Sequence, residues 1–333
     1  MIKLTLCLII VVTISSCYED SSAGNCMREE RFDGVNDCRK INSELPHVDD
    51  MTVPGKYFPT FKGNGSADLV YIKVSDNSQH LIRFNANSGQ HNVLLEGKNL
   101  GKPYYGASGW VSLIGNSRGT GCLFIHETGD STFEWVVNGY FEQGLEWNAD
   151  GTKFYTRYTD NEVSDRKYNL VVDFPDLDTQ VMTYSGLSGG IQPPIWSVSN
   201  PNLLYVINNK VLYEFNITKD LQKPSEKLLT LKDYNYTWAR LGWDFKIDKQ
   251  RMFGYEIPAF GICRINLESG EEVRLRKNCE SRIYYDFDII PNNDGLLVAC
   301  QKAQFAGDGR TVDFTRDFYF MGLDGCDERP YFD

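Results

Sequence analysis

Residues 145–155 read LEWNADGTKFY, from Leu145 to Tyr155. An apolar residue and a Trp lead into a polar turn, and an aromatic strand leaves it. Asn148, Asp150 and Gly151 are of the types that tolerate the positive φ of a tight turn. The residues on either side read as half-buried strands. The pattern returns in worn form along the chain, and its recurrence decides the architecture.

The turn-and-strand element recurs as WSVSNPNLLYVI from Trp196, WDFKIDKQRMFGYE from Trp243 and DIIPNNDGLLVAC from Asp288. Weaker copies are FKGNGSADLVYIKV from Phe61 and SLIGNSRGTGCLFIH from Ser112. A second element, a strand running into an Asx or Gly turn, reads HLIRFNANSGQ from His80, YNLVVDFPDLDTQ from Tyr168 and VLYEFNITKD from Val211. It continues as ICRINLESGEE from Ile262 and FYFMGLDGCDE from Phe318, with a degenerate copy, FEWVVNG, from Phe133. The two elements alternate six times, mostly near the ~40–50-residue period of a propeller blade. A four-stranded antiparallel sheet cannot bury both faces alone, whereas radial stacking buries them and leaves only short edges. The expectation is an all-β, six-bladed β-propeller of four-stranded antiparallel blades, or seven blades if the stretch before Tyr57 contributes a strand. The Trp or Phe at each first turn is expected to wedge between neighbouring sheets.

The run Trp147–Phe154 resembles the WSPDG-K-type motif of TolB-like (PD40, WD40-like) β-propeller repeats, and INLESGE from Ile265 resembles the strand and turn that come after it in such blades. The resemblance extends from Tyr57 to Phe332. Its best copy is the third blade, about residues 141–185, and its poorest is the second. The stretches at Trp196 and Trp243 depart from the motif by insertion or substitution. The resemblance implies a recognition platform, which points to a protein or peptide partner.

The N-terminus reads as an address. MIKLTLCLIIVVTISSC has an early Lys3, an apolar run from Leu4 to Ile14 and then small residues, the pattern of a secretory signal too short to span a bilayer. Ile14-Ser15-Ser16-Cys17 resembles a bacterial lipobox, which makes residues 1–16 a signal peptide and Cys17 the acylated first residue of the mature chain. The residue after Cys17 is Tyr18 and not Asp, which favours the outer membrane, facing the periplasm or the cell surface. Residues 17–53 are polar and form a tether, in which Cys26 and Cys38 are placed to close a small disulfide loop. Residues 54–333 are the propeller domain. Cys122 and Cys300 lie in apolar strand-like runs and read more naturally as buried small hydrophobes than as nucleophiles; the pairing of Cys122, Cys263, Cys279, Cys300 and Cys326 stays open.

Composition excludes several function classes. The net charge of −11, with no basic cluster, argues against nucleic acid and against attraction to anionic lipid; contact with the membrane runs through the lipid anchor. His47, His80, His91 and His126 show no metal-ligand spacing, and no cofactor signature is present. No G-x-S-x-G elbow occurs; the Gly-rich SGLSGGIQPP from Ser185 reads as a connection into the fourth blade. The carboxylates around Asp173 and Gly307 do not match an EF-hand. Glu146, Asp244 and Asp286 fall near inner strands and are the candidates for acid and base in a polysaccharide-directed enzyme.

The start of each innermost strand lines the funnel of a propeller. That rule selects Tyr57, Tyr105, Gln143, Gln192, Arg240 and Tyr285, a hydrogen-bonding set with flat apolar faces suited to a polar ligand or extended peptide. The primary expectation is a membrane-anchored, non-catalytic platform for an envelope protein or peptide. The alternatives are a polysaccharide-directed enzyme and a saccharide-binding lipoprotein using the same funnel.

Overall fold

The computed structural model describes residues 50–75, 78–114, 121–160, 166–182, 194–208, 211–231, 245–249, 252–257, 261–278, 282–291, 294–305 and 311–332. Among them the chain is built of strands and turns, with no α-helix. Six four-stranded antiparallel sheets take their strands in chain order, so each blade is one continuous stretch of sequence. The fold is a six-bladed β-propeller.

Blade one consists of β1 (Gly55–Phe61), β2 (Leu69–Ser75), β3 (Ser78–Asn85) and β4 (Gln90–Gly97). Blade two comes next with β5 (Tyr104–Tyr105), β6 (Trp110–Ile114), β7 (Gly121–His126) and β8 (Thr132–Val136). Blade three is β9 (Gly139–Trp147), β10 (Lys153–Asp160), β11 (Arg166–Asp173) and β12 (Thr179–Met182). Blade four comprises β13 (Ile195–Trp196), β14 (Leu203–Asn208), β15 (Val211–Asn216) and β16 (Glu226–Thr230). Blade five holds β17 (Phe245–Asp248), β18 (Phe253–Glu256), β19 (Gly261–Asn266) and β20 (Glu272–Lys277). Blade six ends the ring with β21 (Arg282–Ile289), β22 (Leu296–Phe305), β23 (Thr311–Met321) and the two-residue β24 (Arg329–Pro330).

The turn at 148–152 explains its own sequence. Asn148 Oδ1 accepts the amides of Thr152 (3.1 Å) and Lys153 (3.0 Å), and Asp150 Oδ1 accepts the amide and hydroxyl of Thr152. Gly151 has φ +70°, and a Cβ there would lie 2.6 Å from the Ala107 amide nitrogen of blade two. Both conditions demand glycine. The same turn reaches both neighbours. Trp147 Nε1 donates to Ser112 Oγ of blade two (2.8 Å), and Asn148 Nδ2 donates to the Pro201 carbonyl of blade four (3.1 Å). The Trp147 ring is buried among Phe124, Phe154 and Phe174. A Cβ on Gly106 would stand 2.9 Å from it, so blade two gives way with a glycine. The expected aromatic wedge is present at this turn.

Blade two corrects the sequence reading. Its first turn is residues 106–109, closed by the Gly106 amide on the Trp110 carbonyl, and the run from Ser112 belongs to β6 and β7. FEWVVNG accordingly supplies the fourth strand, β8, and not the third. The alternation in this blade is real, but glycine stands where the other copies carry a bulky residue, and the pattern is displaced by one strand. In blade five the Met252 amide donates to the Lys249 carbonyl (3.4 Å) between β17 and β18, and Trp243 lies outside the described residues. So do Cys17, Cys26, Cys38 and the whole of residues 1–49. Cys122, Cys263 and Cys300 are free thiols, the first and last buried in strands as expected. Cys326 is disulfide-bonded, to a partner outside the described residues.

Among the described residues no strand is shared between the first and last blades, and the contacts across the seam run through side chains. Lys56 pairs with Asp317 at 2.7 Å, and the Phe61 amide donates to Asp288 Oδ2 at 2.8 Å. Arg316 donates to Gln301 Oε1 (2.7 Å), to the Asp50 carbonyl (2.9 Å) and to the Tyr57 hydroxyl. One apolar cluster runs through the seam, from Tyr57, Leu69 and Ile72 to Tyr285, Leu297 and Phe318.

Candidate functional site

The C-terminal ends of the six innermost strands converge on an axial pocket of about 270 Å³. Thr60, Tyr104, Glu146, Trp196, Lys246 and Asp288 mark the contribution of blades one to six. The rim is built from the recurring first turns themselves, including Gly63, Asn148, Ser197 and Pro291. The residues that fix neighbouring blades in register therefore also surround the opening.

The axial charges are matched inside the protein. Lys246 of blade five lies 3.5 Å from Glu146 of blade three, reaching past blade four. Lys102, just before β5, pairs with Asp286 of blade six at 2.8 Å, reaching past blade one. Asp288 spends its two oxygens on backbone amides, those of Phe61 and Ile289 (2.9 Å). On the blade-two side Lys62 donates to both oxygens of Glu127 (2.9 and 2.8 Å), and Arg83 holds Asp68 at 2.9 Å. Burial alone would raise the Glu127 carboxyl, but hydrogen bonds from Lys62 and Tyr105 and the charges of Lys62 and Arg83 hold it below the usual carboxylate range.

The three described tyrosines of the expected funnel set are buried, and the protein uses their hydroxyls. Tyr57 donates to the Val53 carbonyl at 2.7 Å, Tyr105 donates to Glu127, and Tyr285 donates to the Lys56 carbonyl at 2.6 Å. Burial pushes all three phenols above their ordinary range. Only Tyr105 of the three lines the pocket. Gln143 sits in β9 opposite Arg157, and Gln192, Arg240 and Asp244 lie outside the described residues. Of the carboxylates singled out in the sequence, Glu146 lines the pocket and Asp286 faces Lys102. Sequence reasoning missed Lys62, Lys246, Asp288 and the Trp196–Ser197 corner. The signal was present, since the turn motif that betrays each blade also marks the rim.

His80 lies 3.9 Å from Glu96, His91 Nδ1 is 3.1 Å from the Tyr71 hydroxyl, and His126 meets Thr128 at 2.8 Å. They stand in different strands, and His47 lies outside the described residues.

No protein-family profile matches the chain, and no curated protein sequence does. Solved structures do. A putative TolB from Agrobacterium tumefaciens superposes with a TM-score of 0.52 at 15% identity, over 77% of this chain and 88% of that one. The β-propeller domain of the Trilobed protease from Pyrococcus furiosus gives 0.50 at 10% identity, over 84% and 96%. TolB from Acinetobacter baumannii is matched at 0.39 and 11% identity over 82% of this chain, which spans only 53% of that protein. The fold is thus a TolB-like β-propeller, one also found as a domain of a protease.

Proposed function

We propose that the protein is a lipid-anchored, extracytoplasmic binding platform whose axial pocket receives a protein or peptide partner at the cell envelope. The observation that carries this reading is the matching of axial charge. A glycosidase-type site needs an acid and a base held for the substrate, whereas here Glu146 faces Lys246, Asp286 faces Lys102 and Asp288 accepts two amides. What the pocket offers is shape, the half-buried ring of Tyr104 and the hydroxyl of the exposed Ser199. The lipobox at Cys17 and the polar tether of residues 17–53 support anchoring in a bacterial envelope, at the outer membrane, and the bonded Cys326 supports an oxidising compartment.

A cross-linked pull-down of the full-length lipidated protein from its native membrane tests the reading. Val198 lines the pocket and is exposed, so Val198→Glu alters the rim with little effect on packing. The expected result is a stoichiometric partner captured by the wild type and lost with the variant. A second reading, saccharide binding, draws on the pocket volume of about 270 Å³, close to the small-ligand range of about 300–1,000 Å³. An empty pull-down joined to a glycan hit that Val198→Glu abolishes would replace the first reading by the second.

A further inference from the structure

The ring has a seam and, lying over it, the end of the chain. Beyond β24 the Tyr331 amide donates to the Phe318 carbonyl at 3.0 Å. Tyr331 then meets Phe61 edge-on, ring centroids 6.2 Å apart. Phe332 packs against Tyr71, Phe84 and His91 of blade one at 5.9, 4.9 and 4.8 Å, and against Phe318 of blade six at 6.3 Å. Lys56 Nζ lies 4.9 Å from the Phe332 ring centroid while pairing with Asp317. The last two apolar residues of the chain thus touch both blades that no shared strand joins. One of their contacts, Phe61, is part of the pocket wall, and its amide is held by Asp288 on the opposite side of the seam.

We propose that Tyr331 and Phe332 form a strap that holds the first and last blades together at the axial pocket, and that release of the strap widens that pocket. Propeller blades are rigid sheets, so the freedom available to the pocket lies at the contact between blades. Among the six junctions this one joins the first and last blades, and no linker of chain passes directly between them as it does between the other neighbours. The functional weight of the widening rests on the pocket being the binding site proposed above; the strap itself does not.

The strap also carries a proton-sensitive group. His91 on β4 faces Tyr71 and Lys73 of β2, Lys56 of β1, Phe84 of β3 and Phe332, with Asp317 of β23 engaged by Lys56. Partial desolvation by these rings first, and then the charges of Lys56 and Lys73, disfavour the protonated form of this otherwise exposed imidazole. A proton taken up there puts a cation against Phe332 that repels Lys56 and Lys73, so acid loosens the strap.

Hydrogen exchange of the full chain, read by mass spectrometry as protection factors, tests both parts without any ligand. Its outcome is therefore independent of the binding reading. Phe332→Ala is expected to lower protection about tenfold in peptides covering Gly55–Phe61 and Thr311–Met321 while leaving Leu203–Asn216 of blade four unchanged. Phe332→Leu, a smaller change, is expected to fall between the variant and the wild type and serves if the alanine variant does not fold. Unchanged protection at the seam, or a loss spread equally over blade four, overturns the strap. Moving the wild type from about pH 7.5 to about pH 5 should lower protection at the seam alone, and His91→Gln should remove that response. A wild type indifferent to acid, or a His91→Gln protein that still responds, overturns the role of His91.

Discussion

The Tyr285 hydroxyl donates to the Lys56 carbonyl at 2.6 Å, linking the innermost strand of the last blade to that of the first. The two rings of Tyr57 and Tyr285 lie 5.9 Å apart beside this bond. Tyr285→Phe removes the hydroxyl and keeps the ring. It is expected to lower stability by about 1 kcal/mol, read as a lower urea midpoint with an unchanged slope. A changed slope would mean that the seam no longer melts together with the rest of the ring.

Two glycines at positive φ separate strain from crowding. Gly65 has φ +77°, and a Cβ there would meet nothing within 4 Å, whereas Gly151 has φ +70° and its Cβ would meet a backbone nitrogen at 2.6 Å. Gly65→Ala should cost about 1 kcal/mol of backbone strain. Gly151→Ala should cost about 2 kcal/mol or more, because blades two and three must also move apart. Thermal melts of the two variants side by side check the order, and equal losses would contradict the inter-blade role of the turn.

Burial, reinforced by the charge of Glu272, pushes the Glu256 carboxyl up to about 8. The folded chain therefore binds a proton there that the unfolded chain releases near the ordinary value. Its contribution to stability is full below the unfolded pKa and is lost as the pH rises through about 8. Glu256→Gln should raise Tm at about pH 8 relative to wild type and do so much less at about pH 5. A Tm difference that is constant across this range would show that Glu256 does not titrate in the window.

Glu127 behaves in the opposite sense. Its folded carboxyl is held below the usual range, so its stabilisation is present above the unfolded pKa and disappears as the pH falls through the depressed value. Glu127→Gln leaves Lys62 without its carboxylate, while Arg83 keeps Asp68, and should cost about 2 kcal/mol at neutral pH, shrinking in strong acid. Denaturant titrations at two pH values would show whether the penalty narrows as required.

Cys17→Ala is expected to move the protein from the membrane pellet to the soluble fraction. Fractionation of cells expressing each form checks this directly, and a variant that stays in the pellet would remove the lipid anchor from the proposed function.

Architecture was legible because each blade repeats a local requirement. Asn148, Asp150 and Gly151 obey turn chemistry that survives without any knowledge of the rest of the chain, and β10 and β14 carry strand patterns just as local. The pattern in blade two is displaced by one strand because Gly106 replaces the expected bulky cue with room for Trp147. The site was less legible, for a different reason. Whether a tyrosine at an inner strand faces the axis or the next blade depends on bulges such as those in β1 and β21, which shift the register between Tyr57 and Thr60 and between Tyr284 and Asp286. The ion pairs Lys246–Glu146 and Lys102–Asp286 join blades that are not neighbours, and no local pattern announces them.

The chain-order assembly of the sheets has a consequence for synthesis. Tyr57, Phe61 and Leu69 of the first blade are covered in part by Tyr285, Leu297 and Phe318, and the ion pair at Lys56 closes over a sequence separation of 261 residues. Blades two to five each find a finished neighbour as they leave the ribosome. The first blade does not, and one apolar flank of it stays wet until the final strands arrive. A chaperone that guards this protein would find its target at the first blade, and a chain that stops short of blade six would leave that flank uncovered for good.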